Sequence, residues 1–180
     1  MRNILLGLVL VVLAACTGKP NADDSLLSER KLDLEAFFVG KSLARGQFQD
    51  VFGTVRRRFD VTITGEFDGQ TLRLVEDFIY EDGATEQRVW TLEKTGEDSW
   101  QGTAAGVEGV ATGIERGDTF NWRYTIDLPV PSADGTVETV KVTFDDWMWL
   151  LSEDRLLNRA YVKRFGVDIG DVIIIFEKQA

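Results

Sequence analysis

Phe120, Trp122, Tyr124, Ile126 and Leu128 alternate along the chain with Thr119, Asn121, Arg123, Thr125 and Asp127. A period of two with polar partners builds strands that are dry on one face and wet on the other, the habit of antiparallel sheets. Phe59, Val61 and Ile63 alternate in the same way with Asp60, Thr62 and Thr64. Turn signals punctuate the pattern at Asp68-Gly69, Asp82-Gly83, Thr95-Gly96, Gly117-Asp118, Asp134-Gly135, Glu153-Asp154 and Gly166. The first three recur roughly every fourteen residues, a spacing that suits strands of about ten residues joined by tight turns. Helical periodicity is confined to a short cluster, Leu32, Leu34, Phe37 and Phe38, which reads as a helical turn or an extended lead-in. A single sheet with so little helix must bury its own inner face, and closure into a barrel does this while removing exposed edges. The expected fold is all-β: an antiparallel up-and-down barrel of about nine or ten strands.

Register follows from the turns. A two-residue turn at Asp68-Gly69 sets Ile63 opposite Leu74, Val61 opposite Glu76, Phe59 opposite Phe78 and Arg57 opposite Tyr80, which keeps apolar residues on one face. A three-residue loop containing Asp82 and Gly83 puts Phe78 opposite Arg88 and Glu76 opposite Trp90, leaving Glu76 and Arg88 diagonal on the inner face. The stretch 102–113, GTAAGVEGVATG, is poor in bulk. A hairpin closed by Gly117-Asp118 sets Gly113 against Trp122, Ala111 against Tyr124 and Gly109 against Ile126; small residues opposite large rings are how a narrow barrel admits aromatics. The same glycines also suit a curved corner or an opening for a ligand. If Ile126 faces Val142, Asp146 points inward opposite Trp122 and Asn158 lies within diagonal reach.

These registers collect the candidate site residues. Arg57, Glu76 and Arg88 lie on an otherwise apolar face toward the end where Asp82-Gly83 turns, with Tyr80 beside them. They suit a cationic mouth that holds the acidic head of an amphiphile whose tail enters an interior of Trp90, Trp122 and Tyr124. The same charges also suit an internal ion-pair network, because inward charges need partners simply to offset desolvation. Asp146 has two readings as well: a carboxyl with raised pKa acting as a general acid, or an acceptor that organises its strand through Asn158. Asp145 and Asp146 point to opposite faces of a regular strand and make a poor catalytic pair. Trp147, Trp149 and Tyr161, with Lys141, Arg159 and Lys163, fall on the outer face, where they suit a membrane surface or a partner protein. Arg56, Arg57 and Arg58 are split between faces and form no patch.

Composition excludes several chemistries. The 180 residues include no His and one Cys, so imidazole-based triads and His-ligated zinc or haem are ruled out, and no metal site or cofactor is expected. With 20 Lys and Arg against 30 Asp and Glu, the net charge of −10 offers no electrostatic footprint for nucleic acid.

The N-terminus reads as an address. Arg2 precedes an apolar run, residues 4–15, that ends in Leu13-Ala14-Ala15-Cys16. The run is shorter than the roughly 20 residues needed to cross a bilayer, and it leads into polar chain. It has the form of a secretory signal with a lipoprotein cleavage site, after which Cys16 carries the lipid. The expected organisation is a signal peptide at 1–15, a lipidated Cys16 and flexible tether at 16–31, and one barrel domain at 32–180. The segment resembles those of bacterial lipoproteins, and the resemblance implies, because Thr17 stands where an Asp retains many of them at the inner membrane, that the periplasmic face of the outer membrane is the expected location, with the inner membrane as the alternative.

The strings DGQTLRLVEDFIYEDG (68–83), RVWTLEK (88–94), GVATGIERG (109–117), NWRYTI (121–126), FDDWMWLLSEDRLLNRAYVKRFG (144–166) and VIIIFEK (172–178) resemble the uncharacterised Gram-negative lipoprotein family catalogued as domain of unknown function 3833. Asp145-Asp146-Trp147-Met148 and Leu157-Asn158-Arg159 are its most specific parts. The resemblance implies a lipid-anchored cell-envelope protein and brings no substrate, partner or catalytic residue. By fold-level analogy the barrel is similar in outline to lipocalins. The expected function is binding of a small hydrophobic or amphiphilic ligand in the barrel rather than catalysis, with membrane contact through the N-terminal lipid. The alternatives are a solid barrel serving as structural or assembly partner of another envelope protein and, more remotely, carboxylate-based hydrolysis.

Overall fold

The computed structural model describes residues 18–21, 24, 28–131 and 136–179. The signal segment, Cys16, Thr17 and the Asp134-Gly135 turn lie outside the described residues. One short helix, α1 (Leu34–Phe38), precedes ten strands: β1 (Gly40–Asp50), β2 (Val55–Phe67), β3 (Thr71–Tyr80), β4 (Thr85–Lys94), β5 (Ser99–Thr103), β6 (Ala111–Arg116), β7 (Thr119–Pro131), β8 (Val137–Ser152), β9 (Arg155–Arg164) and β10 (Val167–Lys178). Each strand pairs antiparallel with its neighbour in sequence, and β10 pairs back to β1 to close the barrel. The expected all-β, up-and-down barrel is therefore the observed one.

Alternation places the apolar residues inside. Val61, Ile63, Leu74, Trp90, Leu92, Phe120 and Trp122 are buried in one continuous core. The outer wall carries cross-strand charge pairs, among them Arg45–Asp60, Arg123–Asp145 and Arg159–Asp171. An apolar lumen with a charged exterior is the reverse of the polarity of a membrane-spanning barrel.

The two ends differ. At one end α1 enters the barrel and buries Leu34, Phe37 and Phe38. Asp33 caps the helix by accepting from the Ala36 amide, and Lys178 Nζ donates to the carbonyls of Ala36, Phe37 and Val39 at 2.7–2.8 Å. A short helix cannot satisfy its own terminal groups, so these side chains do it and tie the plug to β10. Glu115 accepts from Leu34 N and from Trp100 Nε1, and Lys94 pairs with Glu35, which fastens the plug to the opposite wall. The other end, where β1, β3, β5, β7 and β9 finish, is the open mouth. Gly65 makes room for the plug: a Cβ there would collide with the Phe38 carbonyl oxygen and stand 2.8 Å from its carbon. Gly65→Ala is expected to cost about 1–3 kcal/mol by overpacking against backbone, visible as a fall of several degrees in Tm.

Three registers differ from the sequence expectation. Between β2 and β3 the partners are Phe59↔Tyr80, Val61↔Phe78, Ile63↔Glu76 and Gly65↔Leu74, a shift of two residues that keeps each side chain on its face. The cause is a longer turn, in which the Asp68 carboxylate accepts from the amides of Gln70 and Thr71. Between β3 and β4 the loop starts one residue earlier, with Tyr80 N donating to Ala84 O, so Glu76 lies directly opposite Arg88 rather than diagonal to it. In β6 the Gly113↔Trp122 pair is as expected, but residues 104–110 leave the ladder, and Val107 rather than Gly109 faces Ile126. The β7–β8 register, Ile126↔Val142 and Trp122↔Asp146, is as read from the sequence.

Candidate ligand cavity

Above the plug the barrel encloses a cavity of about 480 Å³. Its floor is apolar, made by Leu34 and Phe38 of α1 with Ile63, Leu74, Leu92 and Phe120. Aromatic rings form much of the wall: Trp90 meets both Trp122 and Tyr124 edge-on, and Tyr124 stacks on Phe144 with ring centres 5.0 Å apart. Gly113 makes this possible, because Trp122 and Phe120 stack over the space its missing side chain leaves.

All nine site residues read from the sequence line this one cavity: Arg57, Glu76, Tyr80, Arg88, Trp90, Trp122, Tyr124, Asp146 and Asn158. Their chemistry separates into a rim group and a central belt. At the rim, the Arg57 guanidinium lies 3.4 Å from the centre of the Tyr80 ring and binds Asp82 at 3.2 Å. Tyr80 donates to Glu86 at 2.7 Å, and Arg88 donates to the other Glu86 oxygen at 2.6 Å. Burial alone would raise the Glu86 pKa, but these donors overcome it and hold the carboxyl below its ordinary value.

Glu86 was not singled out in the sequence, although it shares the inward parity of Arg88 and Trp90. Its presence corrects the expected rim. Arg57 and Arg88 each already hold a carboxylate, so the group is a neutralised network of two cations and two anions and not a cationic mouth with one carboxylate.

The central belt is Glu76, Tyr124, Asp146 and Asn158. Burial raises the pKa of Asp146 to about 7, opposed by the neighbouring polar groups of Asn158 and Tyr124, and the Asn158 amide also donates to the Trp147 carbonyl at 3.3 Å. Glu76 is likewise pushed to about 7 by burial, which outweighs the attraction of Arg88. Burial also drives the Tyr124 hydroxyl well above its ordinary value, so it remains protonated. Near neutral pH each of the two carboxyls is divided between its protonated and ionised forms, so the belt can both donate and accept hydrogen bonds. Asp145 points outward, where it accepts from Asn121 and Arg123, in agreement with the alternation argument.

The outer aromatic face differs from expectation in one respect. Trp147 and Tyr161 are only 3% and 7% exposed, so they offer no broad docking surface. Lys19 accounts for part of this: its ammonium sits 5.0 Å above the Tyr161 ring, with Arg159 also placed over the ring. The expected tether thus has described residues packed on the wall of the barrel.

The sequence profile described as "Protein of unknown function (DUF3833)" matches residues 10–178. The chain belongs to this family. A search of curated proteins finds no match. Among solved structures, the chain is similar to an S-type phycobiliprotein lyase from Guillardia theta, with a TM-score of 0.58 at 10% identity, covering 83% of this chain and 94% of that one. It is also similar to a protein of unknown function of the DUF3598 family from Nostoc punctiforme, with a TM-score of 0.54 at 11% identity, covering 91% of this chain and 53% of that one. At such identities these likenesses concern the barrel fold alone.

Proposed function

We propose that this DUF3833 protein binds a small, largely hydrophobic molecule bearing a polar group, and that it does so while moored to the cell envelope through a lipid on Cys16. The observation that carries the binding reading is the enclosed volume of about 480 Å³, which falls within the roughly 300–1,000 Å³ of small-molecule sites. A solid scaffold would fill its axis with side chains. Here the axis above α1 is open and walled by Trp90, Trp122, Tyr124 and Phe144. Two features narrow the chemistry. The floor and walls favour an apolar or aromatic body, and the belt of Tyr124 with the partly protonated carboxyls of Glu76 and Asp146 favours a hydroxyl, carbonyl or amide that exchanges hydrogen bonds. An acidic head remains compatible only if it displaces Glu86 from Arg88 or Asp82 from Arg57. The anchor reading rests on the apolar run that ends at Leu13-Ala14-Ala15-Cys16, and the periplasmic face of the outer membrane is its proposed setting.

The binding reading is tested with an uncharged environment-sensitive fluorophore, N-phenyl-1-naphthylamine, titrated into the protein. Saturable enhancement is expected for the native chain. Ala160→Phe, which puts a ring into the cavity from the position opposite Asp146, is expected to lower affinity at least tenfold while circular dichroism stays that of the barrel. Equal enhancement in both proteins would place the probe elsewhere and count against the cavity. Native mass spectrometry of protein purified from its host then reads the mass of any natural ligand.

A further inference from the structure

The mouth of the barrel carries most of the large apolar side chains that the described residues leave in solvent. Phe52, in the β1–β2 turn, is 89% exposed, and Phe165, in the β9–β10 turn, is 88% exposed. Val51, Ile79, Val110, Val137 and Val167 stand exposed on the same end. Phe52 and Phe165 are on adjoining hairpins, because β1 pairs with β10 and Asp50 faces Gly170.

Both phenyl groups sit on tight turns between paired strands. The Asp50 carboxylate accepts from the amides of Phe52 and Thr54, which holds that turn in shape. Phe165 has φ of +52° ahead of Gly166 at +78°, the first position of a two-residue hairpin turn that ordinarily takes Asn or Gly. The ring's contact inside the fold is the Arg164 guanidinium, 5.2 Å from its centre, and the rest of it is in water. A bulky residue in the left-handed region costs energy, and one exposed cation–π contact returns only part of it, which points to a further gain outside the fold.

The occupant is indicated by where the N-terminal chain runs. Lys19 Nζ is bound to Asp168 at 2.5 Å and lies over Tyr161, so residue 19 is pinned on the outer wall beside the Phe165 turn, at the mouth end. Ser28 donates to Asp118, and Leu32 N donates to Gly117 O, so the chain reaches the plugged end only later. Cys16 is three residues before Lys19. At about 3.5 Å per residue it cannot be more than about 10 Å away from it along the chain. A lipid on Cys16 therefore holds the bilayer against the mouth end, in the sector of Phe52 and Phe165. Lys19, Arg56, Arg57 and Arg58 are paired with Asp168, Asp50, Asp82 and Glu81, so apart from Arg164, which stands over the Phe165 ring, the apolar side chains and not these charges carry the attraction to lipid.

We propose that the mouth of the barrel rests on the phospholipid bilayer, with Phe52 and Phe165 entering the interface and the cavity opening on to lipid. This rests on the anchor reading of Cys16. A hydrophobic ligand then passes between membrane and cavity without crossing water.

The test uses the full chain expressed in a Gram-negative host, purified in detergent and reconstituted into phosphatidylcholine vesicles, with intact mass reporting acylation of Cys16. Phe165→Cys and Leu151→Cys, one at each end of the barrel, are labelled with the fluorophore nitrobenzoxadiazole. Expected is a blue-shifted, severalfold brighter emission from position 165 on reconstitution, protected from dithionite, with position 151 unchanged. Adding Phe52→Ser should reduce the change at 165 by at least half. If Cys16 is acylated and the two positions respond alike, docking is overturned and the anchor stands. If Cys16 is unmodified, the anchor reading falls and takes docking with it. A shift at 165 that grows with protein concentration and needs no vesicles means that a second copy covers the mouth, which also overturns the proposal. None of these readouts depends on ligand binding, so the cavity reading stands or falls separately.

Discussion

Gly113→Val is expected to destabilise the protein by about 3 kcal/mol or more, the upper end of what overpacking costs. A Cβ at this position would stand 2.5 Å from Trp122 Cε3 and 2.6 Å from Phe120 Cζ. Both rings are buried, stacked on one another, and boxed in by the core, so neither can swing away without displacing Trp90 or the plug. For a domain of this size such a loss lowers Tm by roughly 10 °C. The expected signature is wider than stability, because Trp122 is also cavity wall: a folded Gly113→Val protein at low temperature should show altered near-ultraviolet dichroism and weaker binding of the naphthylamine probe. An unchanged Tm would mean that the Gly113–Trp122 contact is not what lets the aromatics fit.

The second large effect is on the dependence of stability on pH. Glu76 and Asp146 have folded pKa values of about 7, raised above their ordinary values by burial. A raised folded value means that the folded state binds the proton more tightly than the unfolded chain. The contribution of each group is full below about pH 4, declines as pH climbs, and is lost once pH passes about 7. Carboxyls with lowered values, such as Asp50, Asp68 and Glu86, work in the opposite sense and lose their contribution only as the solution becomes acidic. Between pH 5 and 8 the buried pair therefore dominates, and the protein should be more stable at pH 5. Asp146→Asn keeps an acceptor and a donor for Tyr124 and Asn158 but cannot ionise. It should be near neutral at pH 5 and stabilising by about 2 kcal/mol at pH 8, read from urea denaturation at both values. Equal effects at the two pH values would mean that Asp146 ionises freely in the folded protein.

Both predictions depend on positions whose facing was legible before any coordinates, and the reason is that β parity is robust. The turns after Phe67 and Tyr80 displaced two registers by two residues, yet Glu76, Phe78, Arg88 and Trp90 stayed on the inner face, since a shift of two leaves every side chain where it was. Asp146 was placed opposite Trp122 for the same reason. Partner identity was less legible. Whether Glu76 lies opposite Arg88 or diagonal to it depends on where a three-residue loop begins, which is decided by how Tyr80 and Ala84 close it, whereas Glu86 lies two residues from Arg88 on the same strand in any register. The burial of Trp147 and Tyr161 was not legible, because alternation reports which face of the sheet a residue occupies and not what else lies against that face.

The amino-acid order by itself determined the class of fold, the inward set of residues and the placing of Gly113 against Trp122, because these follow from a backbone period of two and from turn chemistry that acts over a few residues. Only the tertiary structure decided the register in which β1 meets β10, that α1 plugs one end and leaves space above it, and that Lys19 meets Asp168 at the other end. These are contacts between residues far apart in the chain. Their geometry depends on the tilt and circumference of the whole barrel, quantities that no local pattern encodes.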